Sequence, residues 1–119
     1  QSGGRSHYLN LLSRSYMAID AWGGGDCTVR KNEAIINSVA LCKQAWGIVE
    51  PYGFEDGKNI ILYKDTNEFI EKTKYYLQNL DKLIEIGQNG YKHALKYHTT
   101  EKRIDYIFDV IHGKIEWKK

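Results

Sequence analysis

The sequence predicts an α/β fold, a Rossmann-like domain whose short parallel sheet of about three strands is flanked by helices. Three observations predict it. Short apolar runs, Tyr16 to Trp22, Ala40 to Trp46 and Asn59 to Tyr63, are spaced along the first half of the chain. A run of three glycines, Gly23 to Gly25, stands between the first of them and a segment of helical periodicity. The second half reads as helix throughout. Strands that alternate with helices favour a parallel sheet, because the right-handed crossover is the economical connection. The 119 residues suit one compact domain, which buries roughly two-thirds of the surface its unfolded chain exposes.

Each element has its own local reason. Residues 5 to 15 place Tyr8, Leu11, Leu12 and Ser15/Tyr16 at helical spacing, and Tyr16 to Trp22 then reads as a buried strand. Residues 29 to 39 form a helix with Val29, Ile35, Ile36 and Val39 on a dry side and Arg30, Glu33 and Asn37 on a wet one. Gly47 to Lys58, with Pro51, Gly53 and Gly57, reads as a loop before the third strand. Asp65 with Glu68 has capping-box character and opens a helix bearing Phe69, Ile70, Thr73, Tyr76 and Leu77. Asn79 caps the next, with Leu83, Ile84, Gly87, Tyr91, Ala94 and Leu95 inward. Thr99 or Thr100 caps the last, which carries Ile104, Ile107, Phe108 and Ile111 and ends at Gly113.

Composition excludes several functional classes. The net charge of +2 is too small to argue for nucleic acid, and no apolar run approaches the roughly 18 residues of a membrane span. Two cysteines, Cys27 and Cys42, have neither metal-ligand spacing nor a disulfide framework, which suits a reducing, cytoplasmic setting. His7, His93, His98 and His112 lack a His or Cys partner at ligand spacing, so no metal site is expected. Cys27 reads as a small turn residue and Cys42 as core; Tyr76, Tyr91 and Tyr106 read as packing residues. Trp22 and Trp46 end two strands and could border a base or sugar. Gly87 and Gly90 inside a helix imply close packing against a neighbouring helix or the sheet.

Residues 23 to 46, "GGGDCTVRKNEAIINSVALCKQAW", carry the chemistry. In an open α/β sheet, ligands sit outside the carboxyl ends of the strands, where loops meet helix N-termini. Free amides at a helix start favour a phosphate, and Arg30 in the first turn adds a cation with planar donors. A carboxylate one turn on, Glu33, repels phosphate but can accept hydrogen bonds from paired ribose hydroxyls. Together these spell a nucleotide diphosphate site. The bland alternative is an Arg30–Glu33 surface ion pair at i, i+3, worth a few tenths of a kcal/mol. The order Gly-x-Gly-x-x-Gly is absent, and pattern alone leaves both readings open.

The stretch above, followed by "YGFEDGKNIILYKDTNEFIEKTKYYLQN" and "IGQNGYKHALKYHTTEKRIDYIF", resembles the carboxyl-terminal part of a GT-B glycosyltransferase, closest to the subgroup similar to CgeB spore-maturation proteins. The resemblance covers about residues 8 to 111. It implies that the chain is part of the donor half of a hexosyltransferase, without that half's first strands, transferring sugar from a nucleotide-diphosphate donor to an unknown acceptor without a metal or other cofactor. Glu33 matches the family's ribose-binding glutamate. Arg30 matches the position that stabilises the diphosphate, with Gly25, Asp26, Thr28 and Lys31 in the diphosphate region, and the loop 47–59 lies near sugar or nucleotide. The retaining pattern has a second glutamate eight positions before Glu33, where Gly25 stands beside Asp26. His98, Thr99 and Arg103 match a late motif read as structural.

The expected organisation follows. Residues 1–4 read as a remnant or cut point, 5–113 as a partial donor-binding Rossmann-like domain and 114–119 as a tail. Three strands are few for a doubly wound sheet, so an open edge is expected to pair with earlier strands absent from this chain or with a second copy of it, and an N-terminal acceptor domain is expected as a partner. Catalysis by this piece alone is not expected. The alternative function is a non-catalytic α/β interaction module that pairs through its sheet edge.

Overall fold

A computed structural model describes residues 4–20, 29–45 and 51–116. The chain runs α1 (Gly4–Ser13), β1 (Met17–Asp20), α2 (Val29–Ile36), β2 (Ala40–Gln44), β3 (Ile61–Tyr63), α3 (Thr66–Leu77), α4 (Leu80–Tyr97) and α5 (Thr100–Ile111). The three strands form one parallel sheet in the order β1-β2-β3, with Asp20 opposite Lys43 and Gln44 opposite Tyr63. This is the α/β, Rossmann-like arrangement that the alternation of elements predicts.

Side chains alternate across the sheet and build a core on each face. On one side Ala18, Leu41 and Ile60 pack with Leu12 of α1 and Ala34 and Ile35 of α2. On the other, Ala40, Cys42, Ile61 and Tyr63 pack with Leu83 and Ile86 of α4, and Phe69 and Tyr76 of α3 lie against them. The long α4 reaches both cores, since its Ala94 packs against the first. It does so by passing the amino ends of the strands, and two glycines make the passage possible. A Cβ on Gly87 would lie 2.2 Å from the Ser38 carbonyl oxygen and 3.0 Å from the Ala40 nitrogen; one on Gly90 would lie 2.9 Å from the Asn59 carbonyl oxygen.

Helix starts follow their sequence signals in two cases out of three. Asp65 accepts from the Glu68 amide at 2.8 Å, while the Glu68 carboxylate accepts from Lys64 N, one residue before the cap, at 2.8 Å. Thr99 Oγ1 accepts from the Lys102 amide at 3.2 Å. Asn79 occupies the cap position of α4 without capping it; its Nδ2 instead donates to the Tyr75 carbonyl at 2.7 Å, closing the end of α3. Helix α5 finishes in a Schellman motif, with Gly113 at φ 72°, Lys114 N donating to Asp109 O and Gly113 N to Val110 O. Helix α2 ends in the same motif three residues sooner than expected. There Ser38 takes the left-handed position at φ 59°, with Val39 N donating to Ala34 O and Ser38 N to Ile35 O.

Several expected inward faces are turned to solvent. Ile104, Ile107, Phe108 and Ile111 of α5 are 47–68% exposed, and Ile84, Leu95, Ile70 and Leu77 are exposed too. In α4 the buried side is Leu83, Ile86, Gly87 and Gly90. Among the described side chains of α1 only Leu12 is buried; Tyr8 and Leu11 are exposed. The periodicity is real in each helix, but the three-stranded sheet is too narrow to cover every apolar stripe. Tyr76, Tyr91 and Tyr106 are half-buried and Cys42 is buried, as packing residues should be. No helix among the described residues is long and apolar enough to cross a membrane.

Candidate functional site at the carboxyl edge of the sheet

All three parallel strands end on one edge, and α2 begins beside it. Arg30 stands in the first turn of α2 and its side chain lies outside the described ones. Gly25, Asp26, Cys27, Thr28, Trp22 and Trp46 also lie outside the described residues. Glu33 is half-buried one turn along α2, with its Oε2 shielded from solvent. Asn37, on the same stripe, donates from Nδ2 to the Glu33 carbonyl at 2.8 Å.

Lys31 takes a different direction. It is buried, 5% exposed, with Nζ 5.4 Å from the centre of the Phe54 ring. The expected dry side of α2 therefore needs correcting at Ile36, which is 67% exposed, while Lys31, which the resemblance put in the diphosphate region, is covered. A lysine can do this because its aliphatic stem packs like a hydrophobe and an aromatic face attracts its ammonium.

The same edge holds a pair that sequence reasoning passed over. Asp20, the last residue of β1, and Lys43, opposite it in β2, form an ion pair at 3.5 Å with both side chains at most 2% exposed. Their parity with Ala18 and Leu41 puts them on the α1/α2 face. Taking two charges out of water is costly, so both ions must be held by their surroundings. The pair is sealed from solvent and acts by tying the strand ends together under the edge where α2 starts. A carboxylate and a lysine at matching places near the ends of two apolar strands were the available signal.

The turn at Tyr52, ahead of β3, is pinned by the late histidines. Nε2 of His98 and Nε2 of His93 both contact the Tyr52 carbonyl oxygen, at 2.8 and 2.6 Å. Arg103 Nη2 lies 2.6 Å from His98 Nδ1. A guanidinium can only donate, so Nδ1 is the acceptor and Nε2 carries the proton given to Tyr52. Tyr52 itself is left-handed at φ 53°. Its ring stacks on Tyr97 at 4.4 Å, and Phe54 stacks on His98 at 4.9 Å. His98, Thr99 and Arg103 thus build structure around this turn.

The outer edge of β3 is closed. Asp56 Oδ1 accepts from Leu62 N at 2.9 Å, and Lys72 donates to both Asp56 Oδ2 and the Leu62 carbonyl, at 2.7 and 2.5 Å. Desolvation pulls the Lys72 ammonium down, but the hydrogen bond and charge of Asp56, together with Glu68 and Tyr76, outweigh it and leave the pKa raised. β1, at the other edge, carries Ile19, 48% exposed. Among the described residues no three His, Cys, Asp or Glu side chains are grouped to hold a metal.

Neither a curated protein nor a solved structure matches the chain. A family model does, over residues 4–109, and its description is "glycosyl transferase-like". That span runs from α1 almost to the end of α5 and includes the whole sheet. The chain belongs to the glycosyl transferase-like family.

Proposed function

We propose that this chain supplies the nucleotide-sugar donor site of a glycosyltransferase of the GT-B type. The observation that carries the reading is the position of α2: a helix N-terminus at the carboxyl edge of a parallel sheet, with Arg30 in its first turn and Glu33 half-buried one turn on. The mechanism is electrostatic. Helix amides and the Arg30 guanidinium stabilise the leaving diphosphate as the sugar departs, in a region shared with Gly25, Asp26 and Thr28. Glu33 accepts hydrogen bonds from the ribose hydroxyls and so fixes the donor's register. No metal or other cofactor is invoked. In this reading the acceptor is bound by a part of the enzyme outside this chain.

The test is a thermal-shift series with UDP, GDP and TDP and their common sugars, on the wild-type chain and on Arg30→Ala. One diphosphate should raise the melting temperature of the wild type and leave Arg30→Ala unmoved. Equal shifts in both proteins would remove Arg30 from the site.

A second reading, an interaction module that pairs through its sheet edge, is favoured by the contrast between the closed β3 edge and the exposed Ile19 of β1. Light scattering across a concentration series separates the two. A stable dimer indifferent to nucleotide supports the module, and a monomer at all concentrations removes it.

A further inference from the structure

Helix α5 is held down along one side. Tyr106 meets the Tyr52 ring edge-on at 5.8 Å, and Arg103 reaches His98 Nδ1 at 2.6 Å, so these two side chains face the body of the protein. At about 100° per residue, Ile104, Ile107, Phe108 and Ile111 share one stripe on the side away from Tyr106. All four are 47–68% exposed. Together they leave on the order of 400 Å² of apolar surface in water, within the range of the largest patches on soluble monomers, and such patches mark interaction sites.

The stripe matches itself. A two-fold contact uses the same surface on both partners, so a residue i that meets j must also be met as j by i. Two copies of α5 laid antiparallel, with the dyad between Ile107 and Phe108, set Ile104 of each copy against Ile111 of the other and Ile107 against Phe108. No polar residue enters that seam.

The flank of the stripe agrees in charge. Glu101, Asp105 and His112 lie along one side of it, all exposed, and among the described residues none of them is in an ion pair. In an antiparallel two-fold pair, like flanks face each other. At about 1.5 Å of rise per residue, His112 of one copy then stands midway between Glu101 and Asp105 of the other, about 3 Å along the axis from each. An imidazole N–H can donate to either carboxylate. Phe108 carries the His112 ring, stacked with centroids 6.2 Å apart, which keeps it beside the seam. On the opposite flank Arg103 is half-buried and turned to His98.

We propose that this chain forms a two-fold dimer through antiparallel α5 helices, sealed by Ile104, Ile107, Phe108 and Ile111 and set in register by His112 against Glu101 and Asp105. A helix of 12 residues buries less per partner than the roughly 800 Å² of a standard interface, so the dimer is weak and dissociates in the micromolar range. It does not rest on the donor reading.

Sedimentation velocity of the full chain, from micromolar to millimolar concentration, should show a monomer–dimer equilibrium. Ile107→Glu, at a 55% exposed position, should weaken it about tenfold or more, because the charge enters the seam twice, while circular dichroism and melting temperature hold. His112→Glu should also weaken the dimer, whereas His112→Lys should hold or tighten it. Ile19→Lys, which guards the sheet edge of the second reading, should leave it unchanged and so tells the two dimers apart. For the register, chains carrying Ile104→Cys or Ile111→Cys on a Cys27→Ser background are treated with a short bis-maleimide, alone and mixed; unlike chains should cross-link in preference to like ones. The proposal is overturned by a monomer at every concentration, by a dimer that Ile107→Glu leaves intact or Ile19→Lys removes, by equal effects of His112→Glu and His112→Lys, or by preferred cross-linking of like chains.

Discussion

Arg103 donates to Nδ1 of His98 at 2.6 Å, and the opposite nitrogen of that ring reaches the Tyr52 carbonyl at 2.8 Å. One side chain at the start of α5 thereby holds a turn 51 residues earlier, through a single imidazole. His98→Ala should destabilise the chain by about 1–3 kcal/mol, since it removes both contacts that the ring makes, to the Tyr52 carbonyl and to Arg103. Arg103→Ala should cost less. The double variant should fall short of the sum of the two by about 0.5 kcal/mol or more, because both changes break one relay. Urea denaturation of the four proteins checks this.

Gly87 is needed for space, and Gly113 for its backbone angle. Ala at 87 would gain about 1 kcal/mol of helix propensity. It would also place a methyl 2.2 Å from the Ser38 carbonyl, where backbone must move. Gly87→Ala should therefore lose stability by about 1–3 kcal/mol net. Gly113→Ala meets nothing within 4 Å but must hold φ near 72°, and should cost about 1 kcal/mol. Thermal melts of the two variants rank them.

Burial pushes the Cys42 thiol up to about 11, from 9.0. The native thiol is therefore protonated through neutral and mildly alkaline pH, and Cys42 should react with iodoacetamide only as the chain unfolds. The sign of the linkage follows: a raised pKa adds stability below pH 9.0 that is lost as the pH climbs toward about 11. Cys42→Ala should flatten that alkaline decline, as read from denaturation midpoints between pH 8 and about 11.

Lys43 and Asp20 are buried together, so removing one leaves the other's charge in the core. Asp20→Ala or Lys43→Met alone should cost about 3–5 kcal/mol. The double variant with apolar replacements should recover much of that loss. Equal losses in single and double variants would show that the pair is not the unit.

Much of the fold was legible because its signals are local. Asp65 with Glu68, Thr99 and Gly113 mark helix ends by short-range hydrogen bonds or backbone angle, and the structure follows them. The end of α2 was not legible, since Ser38 stands where glycine usually does. Partners were harder to read than elements. The stripe of Ile104, Ile107 and Phe108 declares a helix but not what covers it, and the spacing within α2 does not show that Lys31 turns under Phe54. Of the site, helix position and stripe came from spacing; the Asp20–Lys43 pair depends on strand register, which residue types alone leave open.

The central claim is that Glu33 reads the ribose of a nucleotide donor. The direct measurement compares, by calorimetry, the ribose and 2′,3′-dideoxyribose forms of the nucleoside diphosphate that binds best, on the wild-type chain and on Glu33→Ala. Hydrogen bonds to a carboxylate predict a preference of about tenfold or more for the ribose form in the wild type, abolished in Glu33→Ala. A ribose preference that survives in Glu33→Ala, or is missing from the wild type, would contradict the account.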